Sequence, residues 1–129
     1  MRKVVSAVII EHNKLLLVKK RDTYILPGGK PEEGERDVDC LGREIGEELS
    51  GTQIKVGEFY DYFRGKAPHK GDIIENLVYF AEIGGRLGDA SREVSDAIWV
   101  DSSRRLRLIS EITRKVFIQL IKDKYLRKV

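Results

Sequence analysis

The chain has 129 residues, enough for one hydrophobic core and too few for two well-packed ones. Hydrophobic residues make up 41% and charged residues 35%, and no apolar run approaches the ~20 residues of a membrane span, so the composition predicts a soluble protein and no membrane partner. A net charge of +3 spread along the chain does not indicate nucleic-acid binding, and the single Cys40 cannot form an internal disulfide, which makes the cytoplasm the expected compartment.

Residues 1–18 combine a charged start with apolar stretches, but Glu11, His12 and Asn13 interrupt them and no small-residue cleavage site follows. The segment reads instead as two strands, 4–10 and 14–19, forming a hairpin through His12 and Asn13. A short extended piece, 23–26, runs into Pro27, which biases Leu26 away from helix, and then into Gly28 and Gly29, which permit backbone angles other residues resist. A loop is expected there. From about 36 to 50 the apolar residues Val38, Leu41, Ile45 and Leu49 recur every three or four positions, the mark of a helix with one buried face. Strands over 53–64 and 73–83 follow, separated by a long hairpin loop over 65–72. A strand at 97–100 leads to a C-terminal helix. Its inward residues are Ile112, Val116, Leu120 and Ile121, and Arg114, Lys115, Lys122 and Lys124 make a solvated basic face. No repeat, linker or low-complexity segment divides the chain, so one domain over 1–129 is expected.

The first helix carries an unusual set of acids. At about 100° per residue from Val38, Leu41, Ile45 and Leu49 fall within about 60°, whereas Glu48, Glu44 and Glu47 sit near roughly 280°, 240° and 180°. Side chains three and four positions apart lie roughly 5–6 Å from one another, so three carboxylates can converge on one cation. Exposed helix glutamates would look the same, because solvated like charges at this spacing cost only tenths of a kcal/mol. Hard oxygen donors with no histidine at ligand spacing favour Mg²⁺ or Mn²⁺ over Zn²⁺.

The surrounding residues give the stripe a context. Gly29, Glu35, Arg43, Glu44, Ile45, Glu47 and Glu48 fall at the offsets of a motif: Gly, five residues, Glu, seven residues, then Arg-Glu, an aliphatic residue, any residue and Glu-Glu. On these residues the chain resembles the Nudix (MutT-like) hydrolase family, and the segment from Leu26 to Glu35 resembles the turn that precedes its helix. The motif ends in Gly and an aliphatic residue, where this chain has Ser50 and Gly51; Gly51 is therefore expected to close the helix one residue late in left-handed geometry.

The resemblance implies an α/β fold, an α/β/α sandwich with a mixed, curved sheet between helices. It implies Glu44, Glu47 and Glu48 as metal ligands, joined by the Gly28 carbonyl, with Glu47 or Glu48 also able to handle water, Arg43 orienting the acids and Glu35 pairing with Arg43. A further catalytic glutamate, implied in the loop before a late strand, falls on Glu93, in a segment with Gly88, Asp89 and Ser91 expected to be mobile; Asp89 and Glu75 are alternatives. The implied reaction is Mg²⁺-dependent (or Mn²⁺-dependent) hydrolysis of a phosphoanhydride in a nucleoside diphosphate-linked compound. A (deoxy)nucleoside triphosphate, including an oxidised one, is the first expectation; ADP-ribose, nucleotide sugars and dinucleoside polyphosphates are the alternatives. A nucleotide-binding module without turnover is the reading from another class, disfavoured because Arg43 and all three helix acids are present. The expected partner is thus a small-molecule nucleotide, and the protein a monomer or homodimer. Pro68 lies slightly beyond the offset of a proline common in ADP-ribose members. Tyr60, Tyr62, Phe63 and Tyr79 fit either the core or stacking on a base, and Asn76 either reads a purine edge or satisfies backbone.

Overall fold

The computed structural model describes residues 1–91, 93–102 and 107–129. Ten strands and two helices follow one another along them, five strands before each helix: β1 (Arg2–Val8), β2 (Ile10–Glu11), β3 (Lys14–Lys20), β4 (Thr23–Ile25), β5 (Gly28–Gly29), α1 (Asp37–Glu48), β6 (Leu49–Ser50), β7 (Gln53–Lys66), β8 (Ile73–Gly84), β9 (Asp89–Ala90), β10 (Val94–Val100) and α2 (Glu111–Lys122). A mixed four-stranded sheet runs β5-β1-β8-β7, with β1 and β8 parallel and the outer pairs antiparallel. A second sheet runs β10-β3-β2, with β4 also paired to β3. The helices cover opposite sides of this assembly, giving the expected sandwich.

Central β1 is apolar on both faces because both are buried. Val5, Ala7 and Ile9 pack with Leu16, Val18, Cys40, Leu41 and Ile45 under α1, whereas Val8 packs with Leu15, Leu17, Val78, Val116 and Phe117 under α2. Helix α2 starts at Ser110, whose side chain accepts a hydrogen bond from the Thr113 N–H and so caps a free helix end. Its buried residues are Ile112, Thr113, Val116, Phe117 and Leu120; Ile121 is only half-buried and Phe117 takes the inward place.

The predicted strand over 4–10 is divided. Only Ile10–Glu11 forms a hairpin with β3, through His12 and Asn13 at φ 50° and 61°, and β1 proper leaves for the other sheet. The glycine loop is also more ordered than expected, since Gly28–Gly29 pairs with β1 as an edge strand. Helix α1 ends at Glu48 rather than near residue 50 because Leu49–Ser50 pairs with Asp89–Ala90. Gly51 does take a left-handed φ of 84°, but in the turn from β6 to β7 and not as the helix cap. Val38, taken as inward, is 45% exposed. The buried face is centred instead on Leu41, Ile45 and Glu48, and the helical wheel explains this: Glu48 lies only about 20° from Leu41. Among the described residues no helix is long and apolar enough to cross a membrane.

Candidate active site

Two glycines form the site's floor because a side chain fits at neither. Gly28 has a φ of 146°, and a Cβ there would strike the Val5 carbonyl; at Gly29 it would strike the carboxylate of Glu44. The bare backbone therefore lies directly against α1. The Gly28 N–H donates to Glu48 Oε1 at 3.0 Å, which satisfies one oxygen of an acid that is only 5% exposed. Burial pushes this carboxyl up to about 8, with the nearby Glu44 charge adding to the effect and the Gly28 hydrogen bond opposing it.

Arg43 organises the neighbouring acids. Its Nε and Nη2 grip both oxygens of Glu35 at 2.8 Å, and Nη1 donates to Glu44 Oε1 at 2.9 Å. Nη2 also reaches the Lys30 carbonyl at 3.3 Å, tying the helix to the chain beyond the glycines, and Glu47 lies 3.6 Å from Nη1. This two-point pairing, with a further hydrogen bond from the Glu32 N–H, holds the Glu35 carboxyl down to about 2 and pushes the Arg43 pKa up. Arg43 is thus a hub linking Glu35, Glu44 and Glu47, more than the simple i,i+4 surface pair its spacing also allows.

The donor set suits a hard divalent cation: carboxylates only, one of them buried and pushed toward neutrality beside a second, so that positive charge there would relieve both. The side chains are not yet gathered around one point. Among the described residues no three acidic, histidine or cysteine side chains converge as a ligand set, since Glu44 is turned onto Arg43 and Glu48 onto Gly28.

Beyond the glycines a cavity of about 680 Å³ opens, on the α2 side of the sheet and opposite α1. Gly28 and Gly29 form part of its wall, together with Val4, Ser6, Ile74 and Asn76 from β1 and β8 and Ser110, Ile112 and Thr113 from the start of α2. Glu93 stands at its edge, 68% exposed, with Oε2 2.9 Å from Lys20 Nζ. The alternatives to Glu93 are engaged elsewhere: Glu75 accepts from the Tyr62 hydroxyl at 3.1 Å, and Asp89 belongs to β9. The segment expected to be mobile is fastened to the end of α1, with the Ser91 N–H donating to the Glu48 carbonyl at 2.8 Å and the Ser91 hydroxyl to the Glu47 carbonyl at 2.6 Å.

The aromatic residues do not line this cavity. Phe63 is buried in the core, Tyr60 packs among Phe80 and Tyr125, and Tyr79 binds Asp37 at 2.6 Å. Lys20, which the sequence did not single out, stands close enough to act electrostatically on Glu48. Its strand pattern gives it no distinguishing signal.

This is the fold of solved MutT and Nudix proteins. The solution structure of the Escherichia coli ORF135 protein aligns with a TM-score of 0.74 at 25% identity, over 96% of this chain and 93% of that one. A MutT Nudix hydrolase from Burkholderia pseudomallei aligns with a TM-score of 0.79 at 22% identity, over 92% and 97% of the two chains. An ADP-ribose pyrophosphatase from Streptococcus suis aligns with a TM-score of 0.74 at 17% identity, over 98% and 93%. No curated protein sequence matches the chain. The NUDIX domain model matches residues 1–119, and the chain belongs to the Nudix family. It is a Nudix pyrophosphohydrolase, and hydrolases of this family generally need a divalent metal.

Proposed function

We propose that the protein hydrolyses a phosphoanhydride bond of (deoxy)nucleoside triphosphates, oxidised ones included, with Mg²⁺ as the metal. The observation that carries this reading is the position of the Gly28–Gly29 arm, which is at once a wall of the cavity and the surface against which Glu44 and Glu48 rest. A phosphate chain leaving the cavity along this arm meets the acids of α1. Glu44, Glu47 and Glu48 would hold the metal with the Gly28 carbonyl. A bound Mg²⁺ supplies neutralisation of phosphate charge and makes water more acidic.

The residues of the chain supply the rest. Arg43, anchored by Glu35, restrains Glu44 and Glu47 so that their carboxylates do not swing into solvent. Lys20 offers a cation to the phosphates at the cavity edge, and the Glu93 carboxylate beside it would accept a proton from the attacking water. The water oxygen then bonds to phosphorus, the bridging P–O bond breaks, and its electrons leave with the phosphate-bearing product. The test is a panel of nucleoside triphosphates, nucleotide sugars and dinucleoside polyphosphates assayed with Mg²⁺ and with excess EDTA, the products being identified. Preferential cleavage of triphosphates only with Mg²⁺ supports the proposal; turnover undiminished in EDTA overturns the metal mechanism, and preference for ADP-ribose or another nucleotide sugar overturns the substrate class.

A further inference from the structure

Strand β8 breaks its own pattern once. Ile74, Asn76 and Val78 are buried residues on the same face, with the partly buried Phe80 following, so an amide occupies a position that the alternation reserves for an apolar side chain. Asn76 is 6% exposed, its neighbours in register are Val4 on β1 and Phe63 on β7, and its Oδ1 finds no hydrogen-bond partner among the described residues. Satisfying backbone is therefore not what this oxygen does. Asparagine is also a poor strand former, and a buried amide oxygen without a partner costs stability that an apolar residue would not. His69 Nε2, a second buried atom on the cavity wall without a hydrogen bond, at least lies 3.4 Å from the Asp22 carboxylate; Asn76 Oδ1 has no hydrogen-bond partner among the described residues.

The amide lines the cavity beside the apolar side chains of Val4, Ile74 and Ile112, with Ser6 and Ser110 also on the wall. Its distance from the acids follows from the sheet register. Val4 is opposite Asn76, Ser6 is opposite Gly28, and β5 and β8 flank β1 on opposite sides. Two strand spacings across and two residues along separate Asn76 from Gly28 by about 12 Å. That is the length scale of a nucleoside carrying its first phosphates.

We propose that Asn76 is the specificity-determining residue for the nucleobase: the base edge donates an N–H to Asn76 Oδ1 inside the cavity while the phosphates lie along Gly28 and Gly29. An asparagine amide offers an acceptor beside a donor, and so matches a base edge that carries a donor beside an acceptor, as the amino edge of adenine does. The inference rests on the nucleotide reading given above, but its test does not use hydrolysis. Nucleoside monophosphates and ribose 5-phosphate are titrated in EDTA into the full chain, the Asn76→Leu variant and the Asn76→Ala variant, with dissociation constants taken from NMR shifts and stability from thermal unfolding. The wild type is expected to bind at least one nucleoside monophosphate about tenfold tighter than ribose 5-phosphate, and both variants to lose that advantage while binding ribose 5-phosphate as before. Asn76→Leu, which removes the unpaired oxygen and keeps the shape, is expected to unfold at no lower temperature than the wild type. Two outcomes overturn the inference: equal affinity of the wild type for the base-bearing and base-free ligands, or variants that keep the base preference. Because no turnover is read, loss of hydrolysis in the panel above would leave this result standing on its own.

Discussion

Replacing Glu48 by glutamine should stabilise the metal-free protein in mild alkali and leave it unchanged in acid. Burial lifts this carboxyl from its ordinary value of 4.5 to about 8, so between those values the native state binds more protons than the unfolded chain. Stability from this group is then complete below about pH 4.5 and is lost as the pH rises through 8. The full interval corresponds to at most about 5 kcal/mol, and to a few kcal/mol once the site relaxes around the charge. Glutamine keeps an oxygen for the Gly28 N–H but carries no charge to desolvate. Thermal unfolding in EDTA from pH 5 to 8.5 reads the effect. Glu48→Gln should unfold on the order of 10 °C above the wild type at pH 8, with the gap closing by pH 5. Mg²⁺ should raise the wild-type midpoint at pH 8 much more than that of the variant, because only the carboxylate gains from positive charge. Parallel pH curves for the two proteins would refute the burial argument.

Three further outcomes separate the roles assigned to neighbouring positions. Glu47→Gln should lose turnover by orders of magnitude with an unchanged unfolding midpoint, whereas Leu49→Ala, at a fully buried position, should lose about 2–5 kcal/mol of stability and keep its turnover per folded molecule; equal catalytic loss in folded samples of both would contradict the assignment. Glu93→Gln should lower turnover at saturating Mg²⁺ roughly 100-fold to 10,000-fold, while Asp89→Asn and Glu75→Gln stay near wild type; the reverse order, read by initial rates, would move the proton acceptor. Gly29→Ala should fold and lose activity, because its Cβ displaces only the flexible Glu44 side chain, whereas Gly28→Ala should lower the unfolding midpoint by meeting the Val5 backbone.

What the sequence disclosed, and what it hid, follows from range. Helix α1 was legible because its signals are local: apolar spacing marks one face, and the offsets from Gly29 to Glu48 register the motif. The same arithmetic misjudged Val38 and Glu48, since periodicity gives the direction of a side chain but not which partner packs there. Strand pairing was harder. Residues 4–11 form one β-rich run, and only the long-range parallel pairing with β8 reveals that Ile10–Glu11 belongs to a different sheet from Arg2–Val8. The link from Ser91 to the end of α1 and the pairing of Lys20 with Glu93 join residues more than forty positions apart, with nothing in either segment to announce them. Asn76 is intermediate: its break in the strand pattern was visible in the sequence, but its unpartnered oxygen and its place on the cavity wall required the fold.

The central claim is that the glycine arm and the acids of α1 form one metal-dependent hydrolytic site at the end of the nucleotide cavity. The most direct test is to measure release of phosphate or pyrophosphate from nucleoside triphosphates by the wild type and Glu47→Gln, each first stripped with EDTA and then titrated with Mg²⁺. The account predicts no release by the stripped wild type, recovery that saturates with Mg²⁺, and recovery lower by orders of magnitude for a folded Glu47→Gln. Equal release by both proteins, or release by the stripped enzyme, would contradict it.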